Sequence, residues 1–283
     1  MRISHYMSAD LFAATSYDAQ PQQSKFFLHT HPHAEIFHFL QGKAIFHVEG
    51  NAYPLKPGDI LLIRPTEAHY IELDPSVPYR RTVINLDLSL LESLAPGTPL
   101  LQPFMEREAG HRNLYRQKDL GNEVYTYLNA LADHSDDRLS TLADIILVLR
   151  RIHQIYNANQ DVSAQPPTVE VRILRYINHH LGEDLTLEQL CNVFFISRAQ
   201  LCRRFKKATG TSVGRYISIK RLIMAQQMLR QGKRPLDVFG LCGFLDYSSF
   251  YRAYTKYFGH TPSEAPGSAN PPETLADYSH IIA

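Results

Sequence analysis

The stretch TLEQLCNVFFISRAQLCRRFKKATG, residues 186–210, decides how the rest of the chain reads. Thr186-Leu-Glu-Gln189 is a capping box, in which the Thr hydroxyl and the Gln side chain satisfy the free amide groups that open a helix. Ser197-Arg-Ala-Gln200 repeats that signal eleven residues later. A short helix, a tight turn and a second capped helix make a helix-turn-helix layout. In the second helix, expected from 198 to about 208, Leu201, Phe205 and Ala208 recur at i, i+4, i+7 and pack inward. Ala199, Cys202, Arg203 and Lys206 share another side, suited to a major groove. Small side chains at 199 and 202 permit close approach to base edges, and Arg203 can grip guanine O6 and N7 together. Arg204 and Lys207 lie at the flank, where phosphate contacts are expected, and Arg198 opens the same basic helix.

The layout recurs downstream. Residues 237–242 read as a short helix, Gly243 sits where the turn needs a positive φ, and Asp246 can cap a new helix. Phe250, Tyr254 and Phe258 form its inward stripe. Tyr247, Ser248, Tyr251, Arg252 and Thr255 point away from it. A longer helix, about 212–230, separates the two units. Two recognition helices on one rigid spacer can read successive major-groove faces ~10–10.5 base pairs apart. Charge agrees: residues 168–266 hold 15 Lys+Arg against 7 Asp+Glu, while residues 1–167 hold 14 against 19. A basic segment joined to an acidic one suggests a polyanionic partner for the basic part.

Upstream, the pattern is strand-like. Apolar runs at 36–40, 44–48, 60–63, 70–73 and 82–86 are separated by turn signals such as Gln41-Gly42 and Lys56-Pro57-Gly58-Asp59, which reads as a sandwich or barrel. Residues 88–118 carry three prolines and no clear period. Helical stripes follow: Val124, Tyr127, Leu128 and Leu131, then a longer one from Leu139 through Ile145, Ile146, Leu149 and Ile152 to Tyr156. That longer stripe can pack on the barrel or pair with its twin in a second copy. The expected division is a sensing domain over 1–120, a helical dimerisation and linker region over 121–157, and a flexible linker over 158–167. A DNA-binding domain over 168–266 and a tail over 267–283 complete it. No run approaches the ~20 apolar residues of a membrane span, and no signal peptide is evident. Three cysteines without a CxxC fit reduced thiols and a cytoplasmic setting.

Leu185-Thr-Leu-Glu-Gln-Leu190, the run from Leu201 to Thr211, Lys220-Arg-Leu-Ile-Met-Ala225 and Gly243-Phe-x-Asp-x-Ser-x-Phe250 resemble the AraC/XylS family of bacterial transcription regulators. The resemblance runs through about 80 residues. It implies base-reading positions at Ala199, Cys202 and Arg203 in the first unit and at Tyr247, Ser248, Tyr251 and Arg252 in the second. Cys191 and Phe239 stand where the family usually has Ala, and Leu236 where it has a polar cap. Residues 25–87 resemble the cupin barrel that often precedes this DNA-binding domain. The fold expected is therefore a two-domain α+β chain: a cupin-like β-barrel with helices, then an all-α domain with two helix-turn-helix units.

His31-x-His33-x-Glu35 alternates, so on a strand the three side chains share a face, and His69 follows a second turn. These four residues are the candidate effector site. They can serve as hydrogen-bonding groups for a polar small molecule, with carbohydrates as the candidate class, or as ligands for a divalent metal. They can also be plain barrel-mouth polar groups. His29, His38 and His47 read as ordinary strand residues. The function expected is a ligand-responsive transcription regulator, an activator rather than an enzyme, requiring no cofactor. Its partners would be double-stranded promoter DNA, the effector, RNA polymerase and a second copy of the chain. The rivals are a metal-dependent cupin enzyme with an accessory DNA-binding tail and a ligand-free dimeric regulator.

Overall fold

The structure is a computed structural model and describes residues 2–8, 10–23, 26, 28–31, 33–132, 137–158, 168–209 and 211–264. Among the described residues nine strands occupy the N-terminal part: β1 (Arg2–Met7), β2 (Leu11–Asp18), β3 (Ala34–Gln41), β4 (Ala44–Val48), β5 (Asn51–Pro54), β6 (Ile60–Ile63), β7 (His69–Leu73), β8 (Tyr79–Leu86) and β9 (Leu114–Tyr115). They form a six-stranded sheet, in the order β1-β2-β8-β3-β6-β9, and a three-stranded one, β5-β4-β7. Among the described residues the strand pairs stay within these two sheets and do not close a ring, so the expected barrel is a cupin-like sandwich. Phe37, Phe39, Phe46, Val48, Leu61 and Ile71 fill one buried cluster fed by both sheets.

The strands β1 and β2 fall within the expected sensing domain but upstream of residues 25–87, where the sequence pattern reads as strands. Their signal is weak because β2 does not alternate. Leu11 and Ala13 enter the main core while Phe12 and Ala14 form a small cluster of their own, so both faces are covered.

After β8 come α1 (Leu88–Leu94), a 3₁₀ turn (Pro99–Leu101), α2 (Gln102–Met105), α3 (Gln117–Leu120), α4 (Asn122–Ala130) and α5 (Arg138–Ala158). Thus 88–118, which has no readable period, breaks into short pieces, with Asp87 accepting from the Ser89 N–H at the first. The long stripe of α5 seats on the six-stranded sheet: Leu142, Ile145, Leu149, Ile152 and Tyr156 are buried with Ile36, Ile84 and Leu128. Leu139, which opens the stripe, is 78 % exposed.

The C-terminal part is helical: α6 (Val169–His179), α7 (Leu187–Phe194), α8 (Arg198–Thr209), α9 (Val213–Arg230), α10 (Pro235–Leu241) and α11 (Tyr247–Phe258). The two halves of α9 serve different cores. Val213, Tyr216 and Ile217 pack with Leu190, Leu201 and Phe205, while Leu222, Ala225 and Leu229 pack with Val238, Phe250 and Tyr254. Residues 159–167 and 265–283, which hold nearly all of the expected linker and all of the expected tail, lie outside the described residues. No described helix is long and apolar enough to cross a membrane.

Candidate nucleic-acid interface and sensor cavity

The first helix-turn-helix unit is α7–turn–α8. Both capping boxes form: Thr186 and Gln189 satisfy each other's amides at α7, and at α8 the Ser197 N–H donates to Gln200 Oε1 (3.1 Å) while the Gln200 N–H donates to Ser197 Oγ (3.2 Å). Leu201 and Phe205 are fully buried, which fixes the rotation of α8 and leaves Ala199, Cys202, Arg203 and Lys206 exposed together. Arg198 and Lys207 are also exposed. Arg204 is not a free cation, because its Nε donates to Glu170 Oε1 of α6 at 2.6 Å.

The second unit is α10–turn–α11. Helix α10 starts at Pro235, two residues before the expected position, with Pro at its first turn and no side-chain cap bond from Arg234. Asp246 caps α11 by accepting from the Ser249 N–H at 2.8 Å. Phe250 and Tyr254 are fully buried, leaving Ser248, Tyr251 and Arg252 exposed. Tyr247 and Thr255 are half-buried, and the Tyr247 ring meets Phe239 and Phe250 at 5.9 Å centroid distances. Phe239 is thus accommodated by edge-on packing against the start of α11.

In the sensor, His31, Glu35 and His69 converge, and His29 joins them through its backbone pairing with His69. The His31 Nε2 lies 2.9 Å from Glu35 Oε2, and His69 Nε2 lies 3.8 Å from the same oxygen. His33 is buried nearby but outside this group, and its carbonyl accepts from His31 Nδ1 at 3.0 Å. Burial, helped by the charges of His31 and Arg230, holds the His33 imidazole down at about 3. Burial pushes the Glu35 carboxyl up, but the His31 hydrogen bond and the surrounding imidazoles bring it down to about 2, so it is a carboxylate. His29, read from the sequence as an ordinary strand residue, is a member of the cluster. Its signal was the two-residue spacing to His31. The free space beside these rings is about 30 Å³.

A larger cleft of about 460 Å³ opens where the sensor meets α6 and α9, lined among others by Glu49, Arg64, Glu108, Arg175, Asn178 and Lys220. Its floor is a charged cluster. Lys220 Nζ donates to Glu49 Oε1 and to the Thr66 carbonyl, both at 2.8 Å. The Tyr216 hydroxyl donates to Glu49 Oε2 at 2.5 Å, and Asn178 Nδ2 donates to the same oxygen at 3.1 Å. Arg175 Nη2 reaches Glu108 at 2.6 Å. Behind it, Glu67 takes a bidentate pair from buried Arg107 (2.6 and 2.7 Å) and fixes the 64–69 turn. None of these residues stands out by motif. Lys220 carried the available signal, as a charge amid the apolar side of α9.

A domain with two capped recognition helices, joined to a double-sheet domain with a polar interior, defines a DNA-binding transcription regulator with a ligand-binding module. A sequence-family model described as the AraC-like ligand binding domain matches residues 12–143, and one for a helix-turn-helix domain matches residues 190–265. The chain belongs to the AraC family of transcription regulators. The probable transcriptional regulator LumQ of Photobacterium leiognathi is 23 % identical over 239 residues, covering 83 % of this chain and 90 % of that protein. The transcriptional activator RhaS of Citrobacter koseri is 24 % identical over 277 residues, covering 91 % and 95 %. A crystal structure of ToxT from Vibrio cholerae bound to (E)-4-(8-methylnaphthalen-1-yl)but-3-enoic acid covers 90 % of this chain and 97 % of ToxT, at 12 % identity and a TM-score of 0.40.

Proposed function

We propose that this protein is a cytoplasmic transcription activator without enzymatic activity, which binds promoter DNA as a homodimer and changes its DNA affinity when a small polar molecule such as a sugar occupies the sensor. In this reading Arg203, with Ala199 and Cys202 beside it, reads bases from α8. Ser248, Tyr251 and Arg252 read from α11, with Tyr247 and Thr255 at the edge of that face. Arg198, Lys206 and Lys207 hold phosphates, and Arg204 holds α6 instead.

The observation that carries the control is the buried joint between the domains: Glu49 of the sensor is gripped by Lys220 and Tyr216 of the helix that spaces the two recognition helices. A ligand shifts an equilibrium only by its difference in affinity for the two states, so an effector must touch something that changes when the joint opens. The 460 Å³ cleft does so and falls within the size of small-molecule sites, ~300–1,000 Å³. The space at the histidines holds about one water or ion, so we place the organic effector in the cleft. The outer face of α5, with Leu139, Ala143 and Leu147, is the contact we assign to the second copy, and a spaced pair of DNA-binding domains then gains affinity from tethering.

Footprinting of the full chain on its neighbouring promoter, with and without candidate sugars, tests this. A protected pair of half-sites whose affinity shifts with one ligand supports it. Equal affinity for every duplex at every salt concentration ends the DNA-reading claim, and ligand-independent protection ends the sensing claim.

A further inference from the structure

The two helix-turn-helix units meet in two ways, through α9 and directly. Along α9 each half serves its own core, and Met224 packs against both. A thioether side chain repacks readily, so α9 by itself would let one unit rock against the other. The direct contact lies between the α6–α7 connection of the first unit and the turn that follows α10 in the second. A Cβ on Gly182 would stand 2.9 Å from the Leu241 carbonyl oxygen, and one on Gly243 would stand 2.5 Å from the Leu181 carbonyl oxygen. Each unit thus turns a glycine to the other's backbone, and the two backbones meet with no side chain between them.

Arg221 of α9 closes this seam. Its Nε donates to the Leu181 carbonyl at 2.9 Å and its Nη2 to the Glu183 carbonyl at 2.6 Å. The same guanidinium faces the second unit, with Cζ and Nε each 2.8 Å from where a Cβ on Gly243 would stand. Burial draws the Arg221 guanidinium below the usual arginine range, against the opposing charge of Asp184, so the group is held in the seam and not left in water. A planar fork can grip two carbonyls at once, which a lysine ammonium on a flexible stem does with far less fixed geometry.

We infer that Arg221 is a positioning residue for DNA reading: by clamping the 181–183 segment against Gly243 it fixes how α8 and α11 stand to each other, and so the base-pair spacing at which both can be seated. The inference rests on the reading of α8 and α11 as base-reading helices. The seam lies close to both of them in the chain. The clamped segment leads into Thr186, which caps α7, and Gly243 leads into Asp246, which caps α11. A shift at the seam is therefore passed to both units. Each base pair of B-DNA adds ~35° of rotation and ~3.4 Å of rise, so a rigid pair of helices accepts one spacing where a loose pair accepts several.

The test is a spacing series. A duplex selected from a random-sequence pool by the wild-type full chain is the probe. One base pair is inserted or removed between the two segments contacted within one copy's site, and affinity is read by anisotropy at fixed salt. The wild type should lose at least about tenfold for either change, while in Arg221→Leu the peak affinity should fall and this loss should shrink to about threefold or less. Arg221→Lys should lie between them. Circular dichroism checks folding. Gly182→Ala wedges the same seam from the other side and leaves Arg221 and both recognition helices intact, so it carries the test if Arg221→Leu does not fold, and should broaden or move the preferred spacing. A merely structural role would weaken binding alike at every spacing. An unchanged profile in the folded variants, or a flat profile in the wild type, overturns the inference while DNA reading stands. Failure to select any sequence ends the DNA-reading claim itself, and the inference with it.

Discussion

In the first helix-turn-helix unit the turn passes through Phe195 at φ 52°; in the second the same left-handed position is taken by Gly243 at φ 79°. Phe195 is 94 % exposed, whereas a Cβ at Gly243 would stand 2.5 Å from the Leu181 carbonyl oxygen. The first turn projects into open space and tolerates a side chain; the second is pressed against the α6–α7 connection and does not. The cores differ too. Leu28, Ala68 and Tyr70 of the sensor belong to the first unit's cluster, while the second unit's cluster draws only on residues from α9 onward. Two copies of one motif thus sit differently: the first is docked on the sensor, and the second joins it through α9.

Cutting the dock should produce the largest effect. Lys220→Met leaves the Glu49 carboxylate, 3 % exposed, without its cation. Removing one partner of a buried pair costs ~3–5 kcal/mol, so chemical denaturation should show a large loss and the two domains should melt apart. The same joint sets an acid limit. Burial pushes the Glu49 carboxyl up, but the Lys220 charge and hydrogen bond, the Tyr216 hydroxyl and the Ala68 N–H outweigh it and hold it below the ordinary 4.5. A depressed folded value means the stabilisation is fully present above about pH 4.5 and is lost as pH falls through that lower value. Denaturation midpoints measured from pH 7 to pH 3 should fall in this window for the wild type and lose that component in Glu49→Gln.

Next in size is Gly243→Ala. A left-handed non-glycine residue costs ~1–2 kcal/mol, and the contact with a backbone oxygen adds to it. A loss of about 2–4 kcal/mol is expected by urea titration, with promoter binding falling as the second unit shifts. If Gly243→Ala proves neutral, the two turns are equivalent and the asymmetry drawn here is wrong.

What the sequence made legible follows the same asymmetry. The C-terminal helices were readable because their signals are local: Thr186, Ser197 and Asp246 cap within one turn, and Leu201, Phe205, Phe250 and Tyr254 keep helical phase. The start of α10 was misplaced because Pro235 supplies it, not a polar cap. The sensor was readable as strands over 25–87 but not in its first two strands, since β2 is buried on both faces along its first half and shows no alternation. The joint and the histidine cluster were not fully legible because their partners are distant in the chain. Glu49 and Lys220 are 171 residues apart, and His29 meets His69 only through sheet register. Arg204 shows the same limit: its phase on α8 places it at the flank of the DNA face, and its ion pair with Glu170 of another helix is not legible from that phase.

Arg203→Ala sharpens the comparison at the DNA. Arg203 is exposed on a helix whose neighbours at 199 and 202 are small, so it can reach base edges. A bidentate contact to guanine is worth ~1–3 kcal/mol, or roughly 5- to 150-fold in affinity, and its loss should relax specificity at one base pair. Arg252→Ala in the second unit should cost less, about 1 kcal/mol, because the half-buried Tyr247 ring at the start of α11 limits how closely that helix approaches. Anisotropy titrations against the promoter and single-base variants decide between them. Lys207→Ala should instead weaken all sequences alike and lower the salt slope by about 1.

The smallest expected effect belongs to Phe195→Gly. Glycine relieves the left-handed strain of ~1–2 kcal/mol, yet it raises the freedom of the unfolded chain by ~0.5–1 kcal/mol. No burial is lost, because the ring lies in solvent. The two terms nearly cancel, so stability should move by less than about 1 kcal/mol, against the larger loss at Gly243. Promoter affinity is the more informative readout. The ring stands at the tip of the turn that presents α8, so unchanged affinity in Phe195→Gly would mean that the turn only positions the helix. A clear loss without a change in stability would mean that Phe195 itself touches a partner.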